Sequence, residues 1–211
     1  MAEDKLNVLL VEGSNDSHVV KNICGNYKIP EVFSVETCGS YDSVLKQLEL
    51  RLKSPLMYER MGVLVDADCD VESSWDAIRN RLLRTGKYDV SHLKLAPNGL
   101  VINPLDKDYP IVGVWIMPNN QSSGMLEDFV MSLTDKDDPL MMKSEDVLTE
   151  IEKENINKYK EVHRSKAKVY TYLAWQNPPG LPMGQAISSL IFNPSLSTGK
   201  VFVEWLKRLF L

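Results

Sequence analysis

Two short stretches decide the fold class: "LLVEGSND" at residues 9–16 and "VLVDADCD" at residues 63–70. Each begins with a continuous apolar run, which is typical of a strand buried on both faces of a parallel sheet. Each run ends abruptly in carboxylates, and a helical stripe of apolar residues follows. This alternation of strand and helix predicts an α/β protein with a mostly parallel sheet flanked by helices.

The same pattern can be followed along the chain in both directions from these stretches. Further strands are predicted at 32–37 and 111–117, and "HLKLA" and "LVIN" on either side of Pro97-Asn98-Gly99 predict a β-hairpin. Helices are predicted at 125–133, 145–162 and 163–176 and over the final "KVFVEWLKRLFL". We divide the chain into an α/β core, 1–135, and a C-terminal helical extension, 136–211, packed on that core. The apolar content of residues 163–211 is too high for a solvated tail.

Composition limits the possible classes of partner. The chain has 211 residues, 44% of them hydrophobic, and a net charge of −5, so its average surface repels nucleic acid. Phosphate recognition would therefore need a local patch or a bound metal. The three cysteines form no CxxC pair, which favours a reduced, cytoplasmic protein. The start "MAEDKLN" has no signal-peptide pattern, and no apolar stretch approaches the ~18 residues of a membrane span.

Carboxylates lie at the ends of two predicted strands. Glu12 ends the first, Asp66 and Asp68 end the third, and Asp70 lies just beyond. In an open α/β sheet, the carboxyl ends of the strands gather over the ligand crevice. Alternation along an extended chain predicts that the three aspartates point to one side. Such a cluster is costly unless a cation lies within it, and oxygen ligands without His or Cys favour magnesium or manganese.

Each motif alone has a simpler interpretation. Glu12-Gly13 is then a polar turn after a strand, and "DADCD" is a solvated acidic turn. Glu127 and Asp128 in "GMLEDF" would complement the dipole of the following helix. The spacing does not match an EF-hand, because no glycine stands at the sixth position and Ala77 stands at the twelfth. The occurrence of both motifs at strand ends is the stronger signal.

The motif pair "LLVEGSND" and "VLVDADCD" resembles the two signature motifs of the Toprim domain, over roughly residues 5–130. Toprim domains occur in topoisomerases, primases, recombination proteins and overcoming-lysogenization-defect (OLD) nucleases, and use magnesium to make or break phosphodiester bonds. The resemblance implies a Rossmann-like Toprim fold, with Glu12 as general acid/base or metal ligand and Asp66 and Asp68 as metal ligands. "GMLEDF" is similar to a further acidic motif of OLD-type nucleases, where Glu127 would help hold a second metal.

Basic and aromatic residues complete the set of candidates. In "HRSKAK" we predict Lys166 as a catalytic cation beside the metals and Arg164 and Lys168 as phosphate ligands, although basic residues on helices are most often solvated. The aromatic residues that follow are more typical of a core than of a base-stacking platform: Tyr170, Tyr172 and Trp175. Further acids that could join the site are Asp16, Asp70 and Asp128.

The leading hypothesis is Mg²⁺- or Mn²⁺-dependent phosphodiester hydrolysis on nucleic acid by a Toprim-type nuclease. The first alternative is a non-catalytic Toprim-like module that binds nucleotide or a protein partner, which the acidic net charge favours. A phosphatase of small metabolites is the second alternative. The choice between DNA and RNA stays open, as does a homodimer or protein partner. The chain differs from better-studied relatives in lacking an ATPase domain, a zinc module and a topoisomerase tyrosine context.

Overall fold

The computed structural model describes residues 6–211, and its centre is one five-stranded sheet. The strands are β1 (Leu6–Val11), β2 (Ser34–Thr37), β3 (Tyr58–Asp66), β4 (Leu100–Ile102) and β5 (Ile111–Met117). Their order in the sheet is β2-β1-β3-β5-β4; only β4 runs antiparallel to its neighbour. The predicted α/β class with a mostly parallel sheet is confirmed. The expectation about a signal peptide concerns a segment whose residues 1–5 lie outside the described part.

Helices flank the sheet. They are α1 (Ser14–Asn26), α2 (Tyr41–Leu52), α3 (Val71–Arg84), α4 (Leu126–Met131), α5 (Pro139–Lys153), α6 (Arg164–Ala174), α7 (Met183–Ser188) and α8 (Ser197–Phe210). Several begin at a side-chain cap, as expected for a helix whose first N–H groups lack backbone partners. Ser40 caps α2, Asp70 caps α3, and Asp138 caps α5 ahead of Pro139.

Both faces of the sheet are buried, because alternate residues of each strand point to opposite sides. Leu9 of β1 lies in an apolar cluster with α1, α4 and α6–α8, whereas Leu10 lies in a second cluster with α2 and α3. Helix α8 approaches the sheet so closely that a Cβ at Gly113 would lie 2.3 Å from the Leu209 side chain. Glycine in β5 therefore admits the helix that closes the first cluster.

The predicted hairpin is wrong. β4 pairs antiparallel with β5, and residues 92–96 form no strand. The apolar residues of that segment cover the second cluster instead: Leu93 and Leu95 pack against it, and Trp75 Nε1 donates to the Leu93 carbonyl at 3.2 Å. Burial against α3 has replaced strand pairing for this segment.

The helix predicted at 145–162 also has different bounds. Helix α5 begins at Pro139 and ends at Lys153, and Asn155 follows in the left-handed region with φ 57°. Asn tolerates this conformation, which stops the helix.

The C-terminal helices share a core with the sheet. Val169 of α6 and Trp205 of α8 lie in the same apolar cluster as Leu9 of β1, and Trp205 Nε1 donates to the Leu100 carbonyl of β4 at 3.0 Å. Residues beyond 163 therefore pack on the sheet, while the boundary at residue 135 stays a prediction. Within residues 6–211, no helix has the length and apolar character needed to cross a membrane.

Candidate functional site

Four of the predicted acids converge at the carboxyl edge of β1 and β3. Glu12, Asp16, Asp66 and Glu127 line one pocket of about 210 Å³ together with Lys166. We call it the acidic pocket; its other lining residues are Gly13, Ser14, Asn15, Gly39 and Leu126. The acids come from the end of β1, the start of α1, the end of β3 and the start of α4. The fold thus assembles them from three distant segments of the chain.

Glu12 bridges the ends of neighbouring strands. Its Oε1 accepts a hydrogen bond from the Asp66 backbone N–H at 2.8 Å, and the Tyr41 backbone N–H at the start of α2 also donates to this carboxylate. Burial raises the pKa of Glu12 to about 7, and the negative charges of Asp16 and Asp68 add to this rise. A carboxyl with a pKa near neutrality can both accept and donate a proton at physiological pH.

Asp66 and Asp16 are each held by a backbone amide. Asp66 Oδ1 accepts from the Leu126 N–H at 2.9 Å, and Asp16 Oδ2 accepts from the Gly13 N–H at 2.9 Å. Burial raises the pKa of Asp66 to about 8, with repulsion from Asp16 and Glu12 adding to it, and burial raises the pKa of Asp16 to about 6. Raised pKa values in several neighbouring carboxyls indicate that the cluster is buried and has too little positive charge nearby to stabilise the ionised forms.

Lys166 supplies the positive charge that this pocket has. Its Nζ lies 3.3 Å from Glu127 Oε1. The Glu127 side chain is 4% exposed and that of Lys166 is 46% exposed, so the lysine reaches from the surface to a buried acid. Among the residues that the structure describes, it is the only cation lining the acidic pocket.

Asp68 lies outside this pocket, and the predicted alternation of the three aspartates is wrong. Strand β3 ends at Asp66, and Asp68 adopts a left-handed conformation with φ 49°. Its N–H and C=O pair with Gly124 at 2.9 and 2.8 Å, which turns the chain away from the strand direction. Asp68 and Asp128 line a neighbouring pocket of about 490 Å³, where Ser165 Oγ donates to Asp128 Oδ1 at 2.7 Å.

Three other candidates have structural partners elsewhere. Asp70 is exposed and caps α3. Arg164 forms ion pairs with Glu145 at 2.6 Å and Glu152 at 2.9 Å, and Lys168 pairs with Glu145 at 2.8 Å. Neither cation lines the acidic pocket, because the carboxylates of α5 neutralise this side of α6. The sequence indicated basic residues on α6 but not which face they share.

Two groups beside the acids were not among the sequence-based candidates. The Tyr41 backbone N–H contacts Glu12, and Ser74 Oγ donates to the Asp66 backbone carbonyl at 3.4 Å. One signal was present: Ser40 is a good N-cap directly after a predicted strand, and a helix N-terminus there favours a nearby carboxylate.

The carboxylates are not assembled as a ready-made metal centre. Within residues 6–211, no group of three or more His, Cys, Asp or Glu side chains has an arrangement that could hold a metal ion. Glu12, Asp16 and Asp66 instead each accept a backbone N–H, and Glu127 pairs with Lys166.

Comparison with known proteins finds three similar solved structures and one matching family model. Three structures of the C-terminal region of the OLD protein of Xanthomonas campestris pv. campestris are similar to the chain. The one phased with platinum is 16% identical, with a TM-score of 0.45, covering 97% of this chain and 93% of that one. The one phased with iodine is 15% identical, with a TM-score of 0.43, covering 98% and 96%. Similarity at this level has no bearing on function.

No curated protein matches the sequence. The family model described as "Protein of unknown function (DUF3226)" matches residues 6–211. The chain therefore belongs to this family.

Proposed function

We propose that this protein is a Toprim-type phosphodiesterase that acts on nucleic acid with Mg²⁺ or Mn²⁺. The observation that supports this most is the convergence of Glu12, Asp66 and Glu127 in the acidic pocket beside Lys166. By the resemblance, Glu12 and Asp66 are two of the three Toprim motif acids and Glu127 is the acid of the OLD-type motif, while the third Toprim acid, Asp68, lines the neighbouring pocket. A phosphodiester-cleaving site needs acids that converge from separate segments. A solvated acidic turn needs no such convergence.

The donor set fits a hard divalent cation in chemistry and in charge. All its ligands are carboxylate oxygens, which magnesium and manganese prefer. Burial, with repulsion from neighbouring carboxylates adding to it, raises the pKa of Glu12 and of Asp66, so a bound cation would favour their ionised forms. Asp66 and Glu127 would hold the metal, and Asp68 stays a candidate ligand from the adjacent pocket. When bound, the metal would neutralise charge on the phosphate and lower the pKa of a water molecule.

The side chains of this protein would carry the remaining chemistry. Glu12, whose pKa lies near neutrality, accepts the proton of the attacking water or returns it to the leaving oxygen. Lys166 reaches the same pocket and would stabilise negative charge that develops on the phosphate oxygens. Lys166 is paired with Glu127, and it would be free to approach the substrate when Glu127 serves as a metal ligand.

Thermal melting in the presence of metal is the first test. A ligand that binds only the folded state stabilises it by RT ln(1 + [L]/Kd), so metal at ~100 Kd should add about 2.7 kcal/mol. We expect Mn²⁺ or Mg²⁺ to raise the Tm of the wild type and not that of Asp66→Asn. The matched control is Asp70→Asn, which removes an exposed acid but keeps a good N-cap, and should respond as the wild type does.

The second test separates proton transfer from metal binding. Glu12→Gln keeps an oxygen that can accept the Asp66 N–H, but it cannot exchange a proton at neutral pH. It should lose about 10²–10⁴ in rate on DNA, RNA or a generic phosphodiester while keeping most of the metal-induced stabilisation. If Glu12 is only a ligand, Glu12→Gln and Asp66→Asn will behave alike, and excess metal will rescue both.

One observation favours a non-catalytic binding module as the second candidate. The acids are already engaged by backbone amides and by Lys166. This alternative would be supported if the wild type binds nucleotide but, like Glu12→Gln and Asp66→Asn, hydrolyses none of the substrates with Mn²⁺.

A further inference from the structure

The aromatic residues of α6 and its C-cap do not share one environment. Tyr172 is 2% exposed and lies in the first apolar cluster, with its ring against Phe192, as expected for a core aromatic. Tyr170 is 45% exposed and Trp175 is 39% exposed. The core interpretation therefore holds for Tyr172 only, and two large aromatic rings are left facing solvent.

Tyr170 lies beside the acidic pocket. It follows Lys166 by four residues, so the two side chains stand about one turn, roughly 6 Å, apart on the same face of α6. Lys166 lines the pocket directly. Asn15, another lining residue, donates from Nδ2 to the Tyr170 hydroxyl oxygen at 3.4 Å. The ring is thus tied to the pocket wall from two elements, α1 and α6.

A held and exposed aromatic face next to a phosphate site suits an unpaired base. Every base has a π-face that can stack on tyrosine, but in a duplex this face is covered by neighbouring pairs. Duplex binding relies instead on many Lys and Arg contacts to phosphates. Here the other cations of α6, Arg164 and Lys168, are already paired with Glu145 and Glu152.

We infer that Tyr170 is a stacking platform for the base next to the phosphate bound in the acidic pocket, and that the substrate class is single-stranded nucleic acid. This inference rests on the proposed function, since it places the scissile phosphate beside Lys166. Tyr170 sets specificity and positions the substrate, and it takes no part in proton transfer.

Binding of a short single strand tests the inference directly. The probe is fluorescently labelled hexathymidylate, measured by anisotropy with Ca²⁺ in place of Mg²⁺. Stacking on an aromatic is a substantial contribution per base, so Tyr170→Leu should weaken binding on the order of tenfold, whereas Tyr170→Phe should stay within about twofold of the wild type. Trp175→Leu is the matched control: it removes a similarly exposed ring at the C-cap of α6, whereas Tyr170 is the ring that Asn15 of the pocket holds, and binding should not change.

A second probe identifies the base as the group recognised. With a strand of six abasic sugar-phosphate units, Tyr170→Leu and the wild type should bind equally, because no base is present to stack. If Tyr170→Leu weakens the binding of hexathymidylate and of the abasic strand equally, the variant damages the pocket and the inference is overturned. Wild-type affinity of Tyr170→Leu for hexathymidylate, a preference for duplex, or no binding by the wild type would also overturn it.

Failure of the inference and failure of the proposed function can be told apart. If the protein binds hexathymidylate in a Tyr170-dependent way but hydrolyses no substrate, the stacking platform is supported and the proposed enzymatic activity is refuted. Hydrolysis of a generic phosphodiester that depends on Glu12, with Tyr170→Leu active as the wild type on single strands, supports the enzyme and overturns the platform.

Discussion

The acidic pocket should make the metal-free protein less stable as the pH rises, and Asp66→Asn should remove much of this effect. Burial raises the pKa of Asp66 from 3.8 to about 8. A carboxyl whose pKa is raised on folding contributes stability that is fully present below its unfolded pKa and is lost as the pH rises through its folded pKa. The wild type should therefore lose stability between about pH 4 and pH 8. Asparagine has no proton to lose, and its side-chain oxygen can still accept the Leu126 N–H.

The size of the effect follows from the two pKa values. At about 1.4 kcal/mol per pH unit, the interval from 3.8 to about 8 sets an upper limit of roughly 6 kcal/mol. The pKa values of Glu12 and Asp16 are also raised on folding, so protons on these two groups relieve part of the repulsion. We therefore expect the free energy of unfolding of Asp66→Asn to exceed that of the wild type by about 1–3 kcal/mol at pH 8. Near pH 4 the two proteins should differ by less than about 0.5 kcal/mol.

Urea unfolding followed by tryptophan fluorescence, in a chelator and from pH 4 to pH 8, measures the difference. Asp70→Asn is again the control; Asp70 is exposed and the pKa of this side chain is lowered by hydrogen bonds from the first turn of α3, so its loss should not stabilise the protein at high pH. A wild type with constant stability over this range, or Asp66→Asn no more stable than the wild type at pH 8, would refute the electrostatic reasoning. Added Mg²⁺ should reverse the order of the two proteins at pH 8.

Three further outcomes are expected from the packing. Gly113→Ala should lower the free energy of unfolding by about 1–3 kcal/mol in urea, because its Cβ would lie 2.3 Å from Leu209 and push α8 from the sheet; normal stability would contradict this close approach. Trp205→Ala should cost about 3–5 kcal/mol, since this ring is fully buried and its indole N–H is bonded, and a fully cooperative transition at wild-type denaturant concentration would disprove it. With dithiobis-nitrobenzoate at pH 8, exposed Cys69 should react fastest and Cys24 slowest, because burial raises the pKa of the Cys24 thiol to about 11; equal rates would count against the burial described for Cys24.

The sequence predicts those parts of the fold that depend on local pattern. In β1, β3 and β5 the apolar run stops at or near the last residue of the strand. The reason is that a strand buried on both faces has no polar residue before the turn that follows it. The same logic brought Glu12 and Asp66 to one edge, where both line the acidic pocket. Sequence reasoning succeeds here because strand ends and the site coincide in a parallel sheet.

The remaining features depend on contacts between distant segments. Whether residues 92–96 pair or pack was decided by α3, and whether Arg164 is available was decided by Glu145, nineteen residues before it. Asp68 left the expected side of the strand because its backbone pairs with Gly124. None of these partners can be read from spacing or periodicity, since each choice is between surfaces of similar local composition.

The two backbone hydrogen bonds between Asp68 and Gly124 have a thermodynamic consequence. They fasten the turn after β3 to the loop before α4, and these two segments line the larger pocket and continue directly into Asp66 and Leu126 of the acidic pocket. A ligand that shifts these segments from one side alters the free energy of binding on the other. Linkage then requires the effect to be reciprocal: whatever factor the occupant of one pocket imposes on affinity at the second, the occupant of the second imposes on the first.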